Sequence, residues 1–294
     1  MQFRKIAIVG VGLLGGSLGT AIRRRKLARQ VAGYVRRAAS VKDCRKTGAV
    51  DFATTDLAAA VTDADLVILC TPLAQMKSLV KQMLPALKHG AIVTDVGSVK
   101  AGVVRELESL VAKAGGHFVG SHPMAGAEKA GVSAARADLF EAAMCVVTPT
   151  KMTNPAALRK VEKFWKALGG RGLRLAPELH DELVSRSSHL PHVVAATLAR
   201  LVLNPAQPQA VAALCATGFR DTTRIASGSP EMWRDIAQAN RKNLTKAVNS
   251  FIADLQKFKY VLAQSDARAV ANFFKTAKQR RDDWCSCGAS PSPE

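Results

Sequence analysis

The chain has 294 residues, which is too long for one small core and fits one large domain or two ordinary ones. Hydrophobic residues make up 48% of it and charged residues 22%, a balance that excludes a mainly disordered protein. Every apolar run is shorter than the roughly 18–20 residues that span a bilayer, and the N-terminus lacks the long apolar region of a signal peptide, so we expect a cytoplasmic protein without membrane contact.

The formal net charge of +19 suggests either a nucleic-acid partner or an enzyme that handles anions. Only residues 23–26, with the sequence RRRK, form a dense basic run, and no aromatic residue is interleaved with it. This run falls at the end of the first predicted helix, where cations complement the helix dipole. We therefore expect a solvated helix end there rather than a nucleic-acid site.

Residues 5–175 alternate between aliphatic or β-branched runs and amphipathic segments. We predict strands at 5–12, 30–35, 66–72, 91–98, 117–123 and 143–149, and helices at 14–27, 38–47, 73–88, 99–114 and 154–168. This alternation predicts an α/β domain of the Rossmann type, whose mostly parallel sheet binds ligands at the carboxyl ends of its strands.

From about residue 177 the strand signal disappears, and the apolar spacing becomes that of long helices. We therefore expect an NAD(P)-binding domain over 1–175 and an all-α substrate and dimerisation domain over 176–294. Long apolar helices in a second domain often pair with a copy of themselves, which favours a homodimer.

Gly10, Gly12 and Gly15 form the pattern G-x-G-x-x-G directly after a predicted strand and at the start of a predicted helix. In this position the first glycine allows a tight turn, the second lets the backbone approach a pyrophosphate, and the third lets helix and strand pack closely. Leu13 and Leu14 lie inside the motif, and we expect them to line the same cofactor site. A further pair, Thr71 and Pro72, ends the third predicted strand at the same edge of the sheet.

The end of the second predicted strand favours NADP over NAD. An NAD site usually places an acidic residue there to bind the ribose 2′-hydroxyl. This chain has Val35 at that position, followed by Arg36 and Arg37. No carboxylate repels a 2′-phosphate, and two guanidinium groups can bind one. The alternative is that both arginines are solvent-exposed loop residues, which leaves NAD possible.

Ser98 and His122 end two predicted strands that are consecutive along the chain. Both side chains are expected at the carboxyl edge of the sheet, beside the nicotinamide, as a hydrogen-bonded pair. His122 stands between Ser121 and Pro123, so it is either an ordinary loop histidine or a general base held on a stiff turn. Histidine suits the second role because its pKa lies near neutrality.

Cysteine and histidine spacing predicts no metal site. Cys285 and Cys287 have no second Cys or His pair nearby, and the remaining cysteines suit reduced, buried thiols. His189 and His192 are three residues apart, but their only further ligand is the distant His180. We expect His189 to be hydrogen-bonded in the core between the two domains rather than to contact substrate.

Five motifs occur in order along nearly the whole chain: the glycine pattern, DVGSVK at 95–100, GSHPMAG at 120–126, HD followed by SHLPH within 180–192, and TRIA at 223–226 with a tryptophan at 233. Together they resemble the prephenate/arogenate dehydrogenase family of tyrosine biosynthesis. The resemblance implies NAD(P)-dependent oxidative decarboxylation of a cyclohexadienol acid to an aromatic product.

The resemblance also implies roles for individual residues. His122 matches the catalytic histidine that accepts a hydrogen bond from the substrate's ring hydroxyl, and Ser98 matches the serine that orients both. Arg224 matches the arginine that binds a substrate carboxylate. The other matched residues lie on the substrate side or around the entrance of the cleft: His192, His180, Ser188, Glu128, Asp221 and Trp233. Ala127 departs from the pattern, since the family often has threonine there.

The resemblance makes prephenate the expected substrate and 4-hydroxyphenylpyruvate the expected product, and arogenate, which would give tyrosine, is the alternative. His192 tilts the expectation towards prephenate. A β-hydroxyacid-type dehydrogenase would need a catalytic lysine at a helix start in the second domain, which the HD–SHLPH and TRIA segments do not offer. A regulator without turnover would have lost Ser98, His122 or Arg224, and all three are present.

Overall fold

The computed structural model describes residues 2–126, 131–206 and 209–286. Its centre is an eight-stranded sheet in the order β3-β2-β1-β4-β5-β6-β7-β8. The strands are β1 (Phe3–Val9), β2 (Ala28–Tyr34), β3 (Phe52–Thr54), β4 (Leu66–Leu69), β5 (Ile92–Asp95), β6 (His117–Pro123), β7 (Met144–Thr148) and β8 (Arg171–Arg174). Neighbouring strands are parallel except β6 and β7, which confirms the predicted mostly parallel sheet.

Helices connect most of the strands as far as β8 and then follow one another to the end of the described chain; between β6 and β7 the described residues form only a 3-10 turn, Val132–Ala134. They are α1 (Leu13–Arg24), α2 (Ala38–Thr47), α3 (Leu57–Val61), α4 (Leu73–Met83), α5 (Ala101–Lys113), α6 (Pro155–Ala167), α7 (Pro177–Val184), α8 (Leu190–Val202), α9 (Gln209–Ala213), α10 (Thr217–Thr223), α11 (Pro230–Ala239), α12 (Arg241–Ala263) and α13 (Ala267–Ser286). One π-helical turn, Ser185–His189, joins α7 to α8, and a 3-10 turn, Arg224–Ser227, follows α10. None of the described helices is long and apolar enough to span a membrane.

The core consists of two hydrophobic layers, one on each face of the sheet. In β1, Ile6 and Ile8 pack into one layer, whereas Ala7 and Val9 pack into the other. Alternate residues of a strand point to opposite faces, so a strand that is covered on both sides needs a continuous apolar run. This is why the central strands were visible in the sequence as uninterrupted aliphatic segments.

Three elements had no such signal and were not predicted: β3, α3 and β8. β3 has three residues and lies at one edge of the sheet, and α3 has five. β8 lies at the other edge with the sequence RGLR, and all of its residues are exposed. A strand that buries neither face has no reason to be apolar, so the hydrophobic pattern does not mark it.

The chain forms two compact units, which divide after Asn240. The expected functional boundary at 175–176 therefore falls inside the first unit, between β8 and α7. The reason is packing, because α7 lies against α5 and α11 lies against α4, and both of these helices cover the sheet. The segment that carries the SHLPH and TRIA motifs thus belongs to the same compact unit as the sheet.

Candidate active site

The turn between β1 and α1 has the geometry of a phosphate-binding loop. Gly10 has a φ of 101°, and a Cβ there would lie 2.8 Å from the Cys70 carbonyl oxygen. A Cβ at Gly15 would overlap the Gly10 carbonyl oxygen. At Gly12, by contrast, no described atom lies within 4 Å of the added Cβ. Gly12 is the N-cap of α1 and has no side chain to cap it, so free backbone N–H groups face open space that fits an anionic group.

Thr71 supports the same assignment from the neighbouring strand. It follows β4, and its Cγ2 lies 2.9 Å from a Cβ placed on Gly10. The buried Thr71 Oγ1 has no hydrogen-bond partner among the described residues. A buried hydroxyl without a partner is costly, which is consistent with a bound group completing this edge of the sheet. Pro72 is exposed as the N-cap of α4, and Leu13 and Leu14 are half-buried in the first turn of α1.

Two exposed arginines follow β2. β2 ends at Tyr34, Val35 is buried, and Arg36 and Arg37 are exposed before α2 begins. Val35 occupies the position where a ribose-binding carboxylate was expected, so the end of this strand presents two positive charges.

His122 is held by the sheet itself and not by a turn. β6 continues through Pro123 and pairs antiparallel with β7, with His122 opposite Val146. The expected stiff turn therefore begins later, because the ladder to β7 keeps the histidine in an extended strand. His122 is 6% exposed, and its Nε2 atom makes no hydrogen bond with any described residue.

The hydrogen-bond partner of His122 is His180 and not Ser98. His122 Nδ1 lies 2.8 Å from His180 Nε2, and His180 Nδ1 lies 2.8 Å from Asp181 Oδ1. Between described residues, no hydrogen bond joins Ser98 to His122, which corrects the predicted pair; Ser98 is half-buried in the loop before α5. His180 is fully buried with both ring nitrogens engaged, so it stands behind His122 rather than lining the substrate cleft as predicted.

A buried ion pair lies beside this histidine and was not predicted. Lys100 and Asp95 are fully buried, and the Lys100 ammonium donates to Asp95 Oδ2 and, at 2.9 Å, to the Ser121 carbonyl oxygen. Asp95 also accepts from the Ser121 amide at 3.1 Å and from the Gly97 amide at 2.8 Å. The pair ties the end of β5 to the residue before His122. The signal was available, since both residues belong to the DVGSVK motif.

Burial lowers the pKa of His122 well below its usual value, and the electrostatic influence of the neighbouring His180, Lys100 and His189 lowers it further. A histidine with a lowered pKa is neutral near pH 7 and can accept a proton. The His122 ring is therefore neutral near pH 7, with an unengaged Nε2 at the carboxyl edge of the sheet.

An aromatic stack lies among the residues that the sequence predicts to face the substrate. His192 stacks on Trp233 with ring centroids 3.7 Å apart, and its Nδ1 donates to the Ser188 carbonyl oxygen at 3.0 Å. Burial lowers the pKa of His192 as well. His189 is buried, its Nδ1 accepts from Asn240 Nδ2 at 3.2 Å, and burial lowers its pKa to about 4.

Arg224 is exposed at the start of the 3-10 turn, which packs against α8, the helix that carries His192. Asp221 is exposed on α10, just before this turn. Two predicted features of the entrance, Glu128 and the departure at Ala127, lie outside the described residues, as does Cys287. Among the described residues, no three His, Cys, Asp or Glu side chains cluster closely enough to hold a metal ion.

Comparison with known proteins agrees with this geometry. The family model described as the nucleotide-binding domain of prephenate dehydrogenase matches residues 18–173, and the model described as its dimerization domain matches residues 176–276. The chain belongs to the prephenate dehydrogenase family. It is accordingly an NAD(P)-dependent oxidoreductase with a Rossmann-type N-terminal part and a helical C-terminal part, as the sequence predicted.

Three relatives illustrate the likeness. The prephenate dehydrogenase of Bacillus subtilis (strain 168) is 34% identical over 279 residues, which are 94% of this chain and 75% of that protein. The crystal structure of the A. aeolicus prephenate dehydrogenase with hydroxyphenyl propionate and NAD+ has a TM-score of 0.89 and 33% identity, and the match covers 96% of this chain and 99% of that one. The Synechocystis arogenate dehydrogenase has a TM-score of 0.79 and 30% identity, over 95% and 99% of the two chains.

Proposed function

We propose that this protein is a prephenate dehydrogenase, which converts prephenate to 4-hydroxyphenylpyruvate and CO2 while it reduces NADP+ or NAD+. The observation that carries the proposal is His122. It is a buried, neutral imidazole with an unengaged Nε2, at the carboxyl edge of a sheet whose glycine-rich loop fits a dinucleotide. Arogenate, with an amino group in place of the keto group, is the alternative substrate.

The first part of the site holds the cofactor. Gly10, Gly12 and Gly15 let the pyrophosphate approach the N-terminus of α1. We assign Leu13, Leu14, Thr71, Pro72 and Ser98 to the same cofactor site. When bound, the nicotinamide supplies the hydride acceptor for the ring carbon that bears the substrate hydroxyl. Arg36 and Arg37 favour NADP+ because two exposed guanidinium groups stand where a carboxylate would otherwise repel the 2′-phosphate.

The second part moves a proton. As the hydride leaves the ring carbon, His122 Nε2 accepts the proton of the hydroxyl group, and the oxygen becomes a carbonyl. The C–C bond to the ring carboxylate then breaks, CO2 leaves, and its electron pair makes the ring aromatic. The oxygen is now a phenolate, which takes back the proton from His122. The ring of His122 thus ends the cycle neutral, as it began.

The third part binds one carboxylate and the ring. We assign Arg224 to one carboxylate because its guanidinium can bind a carboxylate in a bidentate manner. Its turn packs against the helix that carries His192. The stacked pair of His192 and Trp233 borders this side, with Ser188 and Glu128 as further substrate contacts and Ser98 orienting the hydroxyl.

We also assign residues 176–294 to the substrate and dimerisation part of a homodimer that works in the cytoplasm. The family model of the dimerization domain supports this assignment. So do the exposed apolar side chains of the last two described helices, among them Ile252, Leu255, Tyr260, Phe274 and Trp284. Large exposed apolar surfaces usually mark interfaces between proteins.

The test is an absorbance assay of nicotinamide reduction, in which NADP+ or NAD+ is combined with prephenate or arogenate. The expected result is turnover that is faster with prephenate than with arogenate and with NADP+ than with NAD+. A preference for NAD+ would assign Arg36 and Arg37 to the solvated surface. A preference for arogenate would reverse the substrate assignment, and no turnover with either acid would contradict the function.

A further inference from the structure

Three buried side chains, the proposed base and two residues behind it, form a continuous hydrogen-bonded line. The line runs from Asp181 Oδ1 to His180 Nδ1 at 2.8 Å, and from His180 Nε2 to His122 Nδ1 at 2.8 Å. Its members are between 0% and 6% exposed, so water does not compete for these bonds. Each of these hydrogen bonds contains one proton. The direction of the line, that is, which partner donates in each bond, decides which nitrogen of His122 is left unprotonated.

The far end of the line fixes that direction. The Asp181 carboxylate accepts the amide N–H of Lys100 at 2.7 Å on Oδ1 and that of Ala101 at 2.9 Å on Oδ2. An ionised carboxylate only accepts hydrogen bonds, so the proton between Asp181 and His180 lies on His180 Nδ1. An imidazole ring that carries one proton, here on Nδ1, accepts at its other nitrogen, so His180 Nε2 accepts. His122 Nδ1 therefore carries the next proton, and the bare nitrogen of His122 is Nε2.

We propose that Asp181 and His180 are positioning residues, which hold His122 in the tautomer whose Nε2 accepts the substrate proton and stabilise the imidazolium that forms. The proposal rests on the proposed function, since it assigns a purpose to the supporting residues of that base. Neither residue touches the reacting atoms. Without an acceptor at Nδ1, the His122 ring can exchange tautomers or rotate, and only part of the population presents a bare Nε2.

The surroundings show that Asp181 is itself held in place. Its two amide donors are the N-cap and the first residue of α5, so the carboxylate caps that helix. The backbone carbonyl of Asp181 accepts from Asn240 Nδ2 at 2.7 Å. Asp181 is thus held through its carboxylate by the start of α5 and through its backbone carbonyl by Asn240. Because the acceptor at the end of the line is fixed, the two imidazole rings have one arrangement of donors and acceptors.

Two substitutions of His180 distinguish a hydrogen-bonding role of this residue from a role in filling space. In His180→Gln, the amide oxygen can accept from His122 Nδ1 while the amide nitrogen donates to Asp181. In His180→Leu, the volume is kept but no acceptor remains. His89→Gln is the matched control, because His89 is an exposed histidine outside the line. Each variant is assayed for kcat, KM and cofactor affinity, and the histidine tautomers are read from 15N chemical shifts of labelled protein.

For the unsubstituted protein we expect 15N shifts of a protonated Nδ1 and a bare Nε2 at His122, identified by the signals that His122→Asn removes. We expect His180→Leu to lower kcat about 100-fold, within the range of general base catalysis, with KM and cofactor affinity nearly unchanged. His180→Gln should retain the tautomer and most of the activity, and His89→Gln should match the parent protein.

A protonated Nε2 at His122 in the parent protein would overturn the proposal even if His180→Leu failed to fold. So would a folded His180→Leu variant that kept its kcat and its His122 tautomer. Neither result would affect the proposed function, which depends on turnover of prephenate and on His122. Conversely, if the tautomer were as expected but the parent protein did not turn over prephenate or arogenate, the proposed function would fail and the positioning line would stand.

Discussion

The two halves of the sheet's carboxyl edge are built by opposite means. At the ends of β1 and β4 the site consists of backbone and of missing side chains, since a Cβ at Gly10 or Gly15 would strike the chain while Gly12 opens to free space. At the ends of β5 and β6 it consists of buried charge and imidazole, with Lys100, Asp95 and His122 almost out of solvent. The first half leaves an open space for a bound group, whereas the second half consists of polar groups that are costly to bury.

The largest effect is expected at the base itself. We expect His122→Asn to lower kcat about 10²- to 10⁴-fold, because asparagine has no titratable nitrogen. Cofactor affinity should be retained, since the glycine-rich loop belongs to the other half of the edge. Turnover assays and titration of cofactor binding measure both. Equal turnover in the variant would remove the base assignment and with it the contrast between the two halves.

The buried ion pair should carry the next largest effect, on stability. Lys100→Met leaves the Asp95 carboxylate buried without its cation, which costs about 3–5 kcal/mol of unfolding free energy. Lys88→Met is the control, because the pair of Lys88 and Asp65 is partly exposed and pairs of that kind contribute about 0–1 kcal/mol. Urea denaturation compares the two variants. Similar losses of unfolding free energy would mean that burial does not make the Lys100–Asp95 pair more important for stability than a partly exposed pair.

A smaller effect, on cofactor affinity, is expected in the half of the edge that contains the glycine turn. Gly12→Ala adds a methyl group into open space, so the fold should keep its stability while the cofactor binds about tenfold more weakly, equivalent to about 1.4 kcal/mol. Gly102→Ala, which also meets no described atom, lies in α5 and should leave cofactor affinity unchanged. Fluorescence titration and thermal unfolding separate affinity from stability. Unchanged affinity at Gly12 would mean that no phosphate approaches this turn.

The last effect is absent at neutral pH and should appear only in the dependence of stability on pH. Burial lowers the pKa of His189 from 6.5 to about 4, so the folded protein resists protonation there. Below pH 6.5 the unfolded chain binds the proton first, and stability is lost as the pH falls towards about 4. The slope of unfolding free energy against pH should therefore be shallower in His189→Asn than in a His89→Asn control. Equal slopes in both variants would contradict this account.

The sequence predicted the glycine turn that the structure shows and missed the hydrogen-bond partner of His122, for a physical reason. A glycine turn is local, and its spacing is visible within the residues 10–15 that form it. The partner of His122 is 58 residues away along the chain, and the amide of Lys100 meets Asp181 across 81 residues. No local pattern shows which of His180, His189 or His192 stands behind the base, because packing of α7 on α5 decides it. The predicted partner, Ser98, is nearer to His122 in sequence, but among the described residues it is His180 that forms the hydrogen bond.

The exposed strand β8 has a consequence for how the protein behaves at high concentration. A sheet that does not close into a barrel leaves a row of unpaired backbone groups at each edge, and such rows invite other chains to add strands. At one edge β3 offers only three residues. At the other edge the four residues of β8 begin with Arg171 and end with Arg174, and the Arg174 guanidinium is paired with Glu162. A second copy approaching this edge would meet a charged side chain at each end of the strand, and these side chains help to keep the molecules from joining edge to edge.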